Sequence, residues 1–118
     1  MWLNSISALL TIALSVVPVA ADEAPFASFA MASAEVLNDP HDLAFGPDGL
    51  LYIADKFAGE IVVMDPDTLE VLRAFGAPLP SVHDVSFWPD GRLVAAVTGA
   101  SSVAIFDVMA DPPVLLES

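Results

Sequence analysis

The chain has 118 residues, room for one small domain, and no cysteine, so its fold depends on neither a disulfide nor a thiolate metal site. Three Lys and Arg against sixteen Asp and Glu give a formal net charge of −13. Such a surface repels phosphate backbones and argues against nucleic acid as a partner. The acids are spread among turns and strand ends and form no tail, as on a solvated acidic surface.

Residues 1–21 read MWLNSISALLTIALSVVPVAA, with an apolar core from Ile6 to Val17 that ends at Pro18. Val19-Ala20-Ala21 fits a small-x-small cleavage site, with Asp22 as the first mature residue. The segment before the core carries no Lys or Arg, and the core is shorter than a membrane span of roughly 20 residues. A cleaved export signal over residues 1–21 is expected, with an uncleaved anchor as the rival. The mature part, residues 22–118, is expected to be secreted or periplasmic and free of the membrane after cleavage. Ala24 to Ala34 is a small-residue stretch without a helical face. Glu35-Val36-Leu37 echoes Glu70-Val71-Leu72 and reads as the outer strand of a preceding unit. Asn38-Asp39-Pro40 is a turn cluster.

The rest of the chain is organised around an internal repeat. PHDLAFGPDGLLYIADKFAGEIVVMD (Pro40–Asp65) recurs without a gap, 42 residues later, as VHDVSFWPDGRLVAAVTGASSVAIFD (Val82–Asp107). Ten of the 25 positions from His41 to Asp65 are identical in the second copy, among them His41/His83, Asp42/Asp84, Pro47/Pro89, Asp48/Asp90, Gly49/Gly91 and Asp65/Asp107. A period of roughly 40–50 residues built from strand-sized segments is the signature of a β-propeller blade.

Within the first copy, Leu43–Phe45 is a short apolar run suited to a buried inner strand. Gly46-Pro47-Asp48-Gly49 is a turn: proline presets φ, aspartate bonds its own backbone, and glycine takes positive φ. Leu50–Ala54, Ile61–Met64 and Leu69–Phe75 read as the next three strands, and four strands per repeat is the blade plan. Val85–Phe87, Leu93–Val97, Val103–Val108 and Val114–Leu116 repeat the pattern. The expected fold is all-β, with propeller blades of four antiparallel strands at about 41–81 and 83–118.

The first copy resembles the NHL repeat and its YVTN-type relatives. It has Pro40, a short apolar strand, Pro47-Asp48-Gly49, an aromatic strand ending Ala54-Asp55, a Gly-containing loop and Ile61-Val62-Val63. Val94 in place of Tyr52, and Val97-Thr98 in place of Asp55-Lys56, depart from that pattern. The resemblance implies a propeller acting as a binding or interaction module for a small molecule, peptide or protein. Two blades do not close a ring, because propellers have about four to eight. An open pair leaves an apolar face at each end. The chain is therefore expected to be a fragment of a longer propeller or, if complete, to assemble as a ring-forming homo-oligomer.

The chemically pointed feature is the pair His41-Asp42 and His83-Asp84. Each histidine directly precedes the inner strand of its blade, so the two converge at one mouth of a propeller channel. Two imidazoles there can share zinc or another divalent metal, with Asp42 and Asp84 behind them. Equally, they can bond loop carbonyls and serve the scaffold alone. The arrangement is similar to that of the peptidyl-hydroxyglycine amidating lyases, in which histidines entering inner strands hold zinc. By that resemblance His41 and His83 match two zinc ligands. The family's third histidine and its catalytic arginine and tyrosine have no matching motif. A lactonase-like reading would draw on Asn38 and the acids, which no spacing singles out. Asp48, Asp90, Asp55 and Asp65 read as turn and strand-end caps. Trp88 reads as a hydrophobic cover or a sugar platform; a two-blade lectin would need such an aromatic in both copies.

Overall fold

A computed structural model describes residues 30–118. The expected export signal over residues 1–21, and the stretch that follows it up to residue 29, lie outside the described residues. Eight strands form in chain order: β1 (Pro40–Phe45), β2 (Leu51–Asp55), β3 (Glu60–Met64), β4 (Val71–Phe75), β5 (Val82–Phe87), β6 (Leu93–Val97), β7 (Ser102–Asp107) and β8 (Val114–Glu117). They make two four-stranded antiparallel sheets, β1-β2-β3-β4 and β5-β6-β7-β8, each a meander in which every strand pairs with the next. The described chain is all-β, with a single 3₁₀ turn at Thr98–Ala100, and the two sheets have the strand plan of consecutive blades.

The turn chemistry is the same in both sheets. Gly49 (φ 81°) and Gly91 (φ 88°) take the left-handed conformation that side chains disfavour. Asp48 Oδ1 accepts from the Leu50 amide, and Asp90 Oδ1 from that of Arg92. Asp65 caps the β3–β4 turn by accepting from the Asp67 and Thr68 amides. That turn uses two residues more than expected. Leu69 has a positive φ (57°) and donates its amide to Asp65 O, so β4 starts at Val71.

Residues paired across a ladder share a face, so the registers define what packs between the sheets. Ala44, Tyr52 and Val63 form one row on the first sheet; Asp42, Ala54, Ile61 and Phe75 form the next. Facing them are the rows Phe87–Leu93–Phe106 and Val85–Ala95–Ala104. Their apolar members make one core between the sheets, with β5 lying against β1 and β2. The opposite face of the first sheet carries a second cluster of Leu51, Ile53, Val62 and Met64.

The expected strand at Glu35–Leu37 does not form, and no ladder precedes Pro40 among the described residues. Leu37 instead packs on the second cluster, and the Asn38 amide donates to Asp55 Oδ2 (2.8 Å). The apolar surface that Leu37 seeks is a sheet face and not a free strand edge. Among the described residues Asp55 is the one buried acid (2% exposed), and its carboxylate ties this leading segment to the end of β2. In the second sheet its place is taken by Val97.

Outside the ladders, the loops beyond β2 and β6 each bond the segment that leads into the same sheet. Lys56 N donates to Asp39 O, and 42 residues on Thr98 N donates to Ser81 O. Gly99 brings its amide to Pro80 O (3.0 Å), and a Cβ at that position would stand 2.6 Å from the same oxygen. Gly99→Ala should therefore push two backbone segments apart and cost about 1–3 kcal/mol. A lowered urea midpoint at unchanged slope would show it, and an unchanged midpoint would contradict this close approach.

The candidate histidine site

His41 and His83 occupy the same peculiar place. The β1–β2 ladder shifts register between Pro40 and Asp42, and the β5–β6 ladder between Val82 and Asp84. Each histidine is thus the extra residue of a β-bulge, unpaired in its ladder. A bulge bends the strand and re-aims the side chain. Because β1 and β5 are neighbours, the two imidazoles meet, with ring centroids 4.2 Å apart and planes inclined by 52°. Both rings remain partly open to solvent (side chains 30% and 41% exposed).

The atoms around the pair are mostly charged. Lys56 Nζ lies 3.3 Å from His41 Nε2. An ammonium has donors only, so in this contact Nε2 accepts and the ring proton of His41 resides on Nδ1. Asp39 Oδ2 sits 3.6 Å from the same nitrogen and 3.8 Å from Lys56 Nζ. On the other ring, His83 Nδ1 lies 3.4 Å from Asp84 Oδ1. Lys56 belongs to the site and was not singled out from the sequence. It stands 15 residues from His41 and reaches it only because β1 and β2 pair antiparallel, Pro40 opposite Asp55.

The two aspartates behind the histidines part company. Asp42 faces the inter-sheet core, and its Oδ2 accepts the Val85 amide at 3.0 Å, tying β1 to β5. That bond gives Asp42 a part in holding the two sheets together. Asp84, 66% exposed, stays beside His83 as expected of a supporting carboxylate. An open cleft of about 340 Å³ adjoins the pair on the Leu43 side of β1, lined by Leu37, Pro40, His41, Asp42, Leu43 and Ile53.

Other features flagged in the sequence lie elsewhere. Asp48 belongs to a polar network at the far end of the strands. There Tyr52 OH donates to Asp48 Oδ2 (2.8 Å) and Arg73 Nη2 donates to Tyr52 OH (3.1 Å) and to Val108 O (3.3 Å). Trp88 is 40% exposed, with the Arg92 guanidinium 4.5 Å from its ring centre and held there by Asp90. Its departure from Gly46 pairs with another. A Cβ at residue 46 would meet the Tyr52 ring at 2.5 Å, whereas Val94, the counterpart of Tyr52, has no ring to obstruct Trp88.

Two imidazoles in contact are a beginning, but structural and catalytic zinc sites use about three or four protein ligands. Among the described residues no group of three or more His, Cys, Asp or Glu could hold an ion. Lys56 also stands on the Nε2 that would bind it. Comparison with protein-family models, with curated proteins and with solved structures finds no match for the chain.

Proposed function

We propose that the chain is an exported two-blade portion of an NHL-like β-propeller. In this reading it is a binding module that takes a small molecule, peptide or protein segment at the channel mouth, where His41 and His83 meet. The observation that carries the reading is the contact between two bulged histidines, 4.2 Å apart, beside an apolar cleft. A bulge leaves residues out of the ladder for a purpose other than sheet stability, and bulges are over-represented next to functional sites. Around the rings, Lys56 and Asp39 supply one cation and one anion, and Leu37, Leu43 and Ile53 supply an apolar wall. That mixture suits a ligand with both polar and apolar parts.

These are the chain's two histidines, so their ring resonances report on the site alone. In titrations with pools of short peptides and small saccharides, a ligand of this mouth should shift both rings together and lose its effect in Leu43→Asp. Rings that respond to nothing, in a folded protein, would reduce the pair to scaffold and sink the proposal.

The ring contact also favours a second reading, a metal-dependent propeller enzyme of the amidating-lyase or lactonase type, with His41 and His83 as two ligands. It requires Lys56 to leave Nε2 and a further ligand from outside the described residues. On this reading Lys56→Ala should tighten zinc binding by about tenfold or more, since about 1.4 kcal/mol of competing contact is removed. The double variant His41→Ala/His83→Ala should abolish it. Zinc measured after equilibrium dialysis decides: binding indifferent to both variants removes this reading.

A further inference from the structure

The two imidazoles of the mouth offer a ligand different atoms. A neutral imidazole carries one N–H donor and one bare acceptor nitrogen, and the bond made by one nitrogen fixes the role of the other. At His41, Nε2 accepts from the Lys56 ammonium at 3.3 Å, so Nδ1 bears the proton and donates. At His83, Nδ1 lies 3.4 Å from Asp84 Oδ1, and a carboxylate only accepts. The His83 proton is therefore on Nδ1, and its Nε2 is a bare acceptor. Among the described residues neither His41 Nδ1 nor His83 Nε2 has a hydrogen-bond partner, and both side chains are partly open to solvent. Equivalent positions of the repeat thus become opposites. Asp42 stands where Asp84 does, but it is taken by the Val85 amide. Thr98 stands where Lys56 does, but it donates its hydroxyl to Ser81 O.

We infer that this pair selects the hydroxyl of a neutral aliphatic alcohol. The alcohol oxygen accepts from His41 Nδ1–H, its O–H donates to His83 Nε2, and its apolar body lies in the cleft walled by Leu37, Leu43 and Ile53. The inference rests on the ligand-binding reading above and narrows it to one chemistry. A hydroxyl is donor and acceptor in a single atom. With ring centroids 4.2 Å apart, one small group can touch both rings. A carboxylate only accepts and sets its lone pairs against His83 Nε2, whereas an ammonium only donates and meets the His41 N–H. A trans peptide group points its N–H and C=O to opposite sides, so one main-chain amide does not answer both rings. Water fits the same pattern, so the rings supply selection and the apolar wall supplies affinity.

Cyclohexylmethanol, cyclohexanecarboxylate and cyclohexylmethylamine share one apolar body and differ in the polar group. Titrations are followed by the ring resonances of the two histidines, under conditions where their nitrogen chemical shifts show both rings neutral. The alcohol should bind about tenfold or more tighter than either ion, because each ion leaves one ring nitrogen unpaired. The net charge of −13 by itself favours the amine, so the order of the three separates hydrogen-bond selection from bulk charge. In ligand-free protein the nitrogen shifts read the tautomers directly and should place the proton on Nδ1 of both rings. Lys56→Met keeps the stem and removes the ammonium. It should let the His41 proton move to Nε2 and erase the alcohol's lead. A proton on Nε2 of either ring in the unsubstituted protein overturns the inference, as does a His41 tautomer indifferent to Lys56→Met. A carboxylate or amine that binds as well as the alcohol overturns it while leaving the ligand-binding reading in place. A mouth that takes none of the three overturns it too, and the ligand-binding reading falls with it only if the peptide and saccharide pools also leave both rings unmoved.

Discussion

Tyr52→Ala should remove a large share of the fold's stability, about 3–5 kcal/mol. The ring is fully buried between the sheets and meets Phe87 and Phe75 edge-on, at 5.0 and 6.3 Å between centroids. Truncating a buried aromatic costs about 3–5 kcal/mol, and a small domain holds about 5–15 kcal/mol in all. The loss goes beyond the ring. The Tyr52 hydroxyl sits between Asp48 and Arg73, and Arg73 in turn reaches Val108 O beyond β7, so one side chain joins the two sheets by both apolar and polar contacts. Arg73 Nε is already buried without a partner. Tyr52→Phe keeps the rings but takes a second partner from that guanidinium, and should cost about 1–3 kcal/mol. Urea unfolding followed by circular dichroism separates the two variants, and a Tyr52→Phe protein as unstable as Tyr52→Ala would place the effect in the polar network alone.

The same residue predicts a pH dependence. Burial raises the Tyr52 phenol above its ordinary value, the Asp48 carboxylate adds to this, and Arg73 pulls the other way. A folded pKa above the unfolded one means that the native state holds the proton more tightly. This contribution to stability is complete below about pH 10, the unfolded value, and is lost as pH rises through the folded value. Tyr52 is the chain's single tyrosine, so its ultraviolet titration is read without interference. The loss of stability should track that titration, and it should be absent in Tyr52→Phe.

Asp42→Ala and Asp84→Ala, the same substitution at the same repeat position, should differ sharply. Asp42→Ala strips the Val85 amide, at a residue 4% exposed, of its acceptor. An unsatisfied buried donor costs about 1–3 kcal/mol. Asp84 is mostly exposed and touches only the His83 ring, so Asp84→Ala should change the stability of dilute protein by no more than about 0.5 kcal/mol. Equal midpoints for the two variants in chemical unfolding would show that the Asp42 bond does not hold the sheets together.

Much of this fold was legible because it is written twice. Pro47-Asp48-Gly49 and Pro89-Asp90-Gly91 state a turn through φ preference and self-bonding, and these are local properties that need no tertiary context. Strand boundaries were less legible where polarity and pairing disagree. Pro40-His41-Asp42 reads as polar lead-in, yet β1 begins at Pro40 because a bulge lets the ladder continue past an unpaired residue. Leu69 reads as the first residue of a strand, but the turn capped by Asp65 places it in the left-handed region and its side chain goes to the second cluster.

By itself, the sequence determined the order of the eight strands of the two repeats, the all-β class and the equivalence of His41 with His83. All of these rest on alternation, turn chemistry and a 42-residue offset, quantities that add up along the chain. Only the tertiary structure decided which equivalent residues would become different. Asp42 is spent on a backbone amide while Asp84 is left free, Ile61 is buried while Val103 is open, and Lys56 arrives at a histidine that sequence distance kept away from it. The physical reason is that a repeat gives each sheet the same two faces, whereas an open pair gives each sheet a neighbour on only one of them.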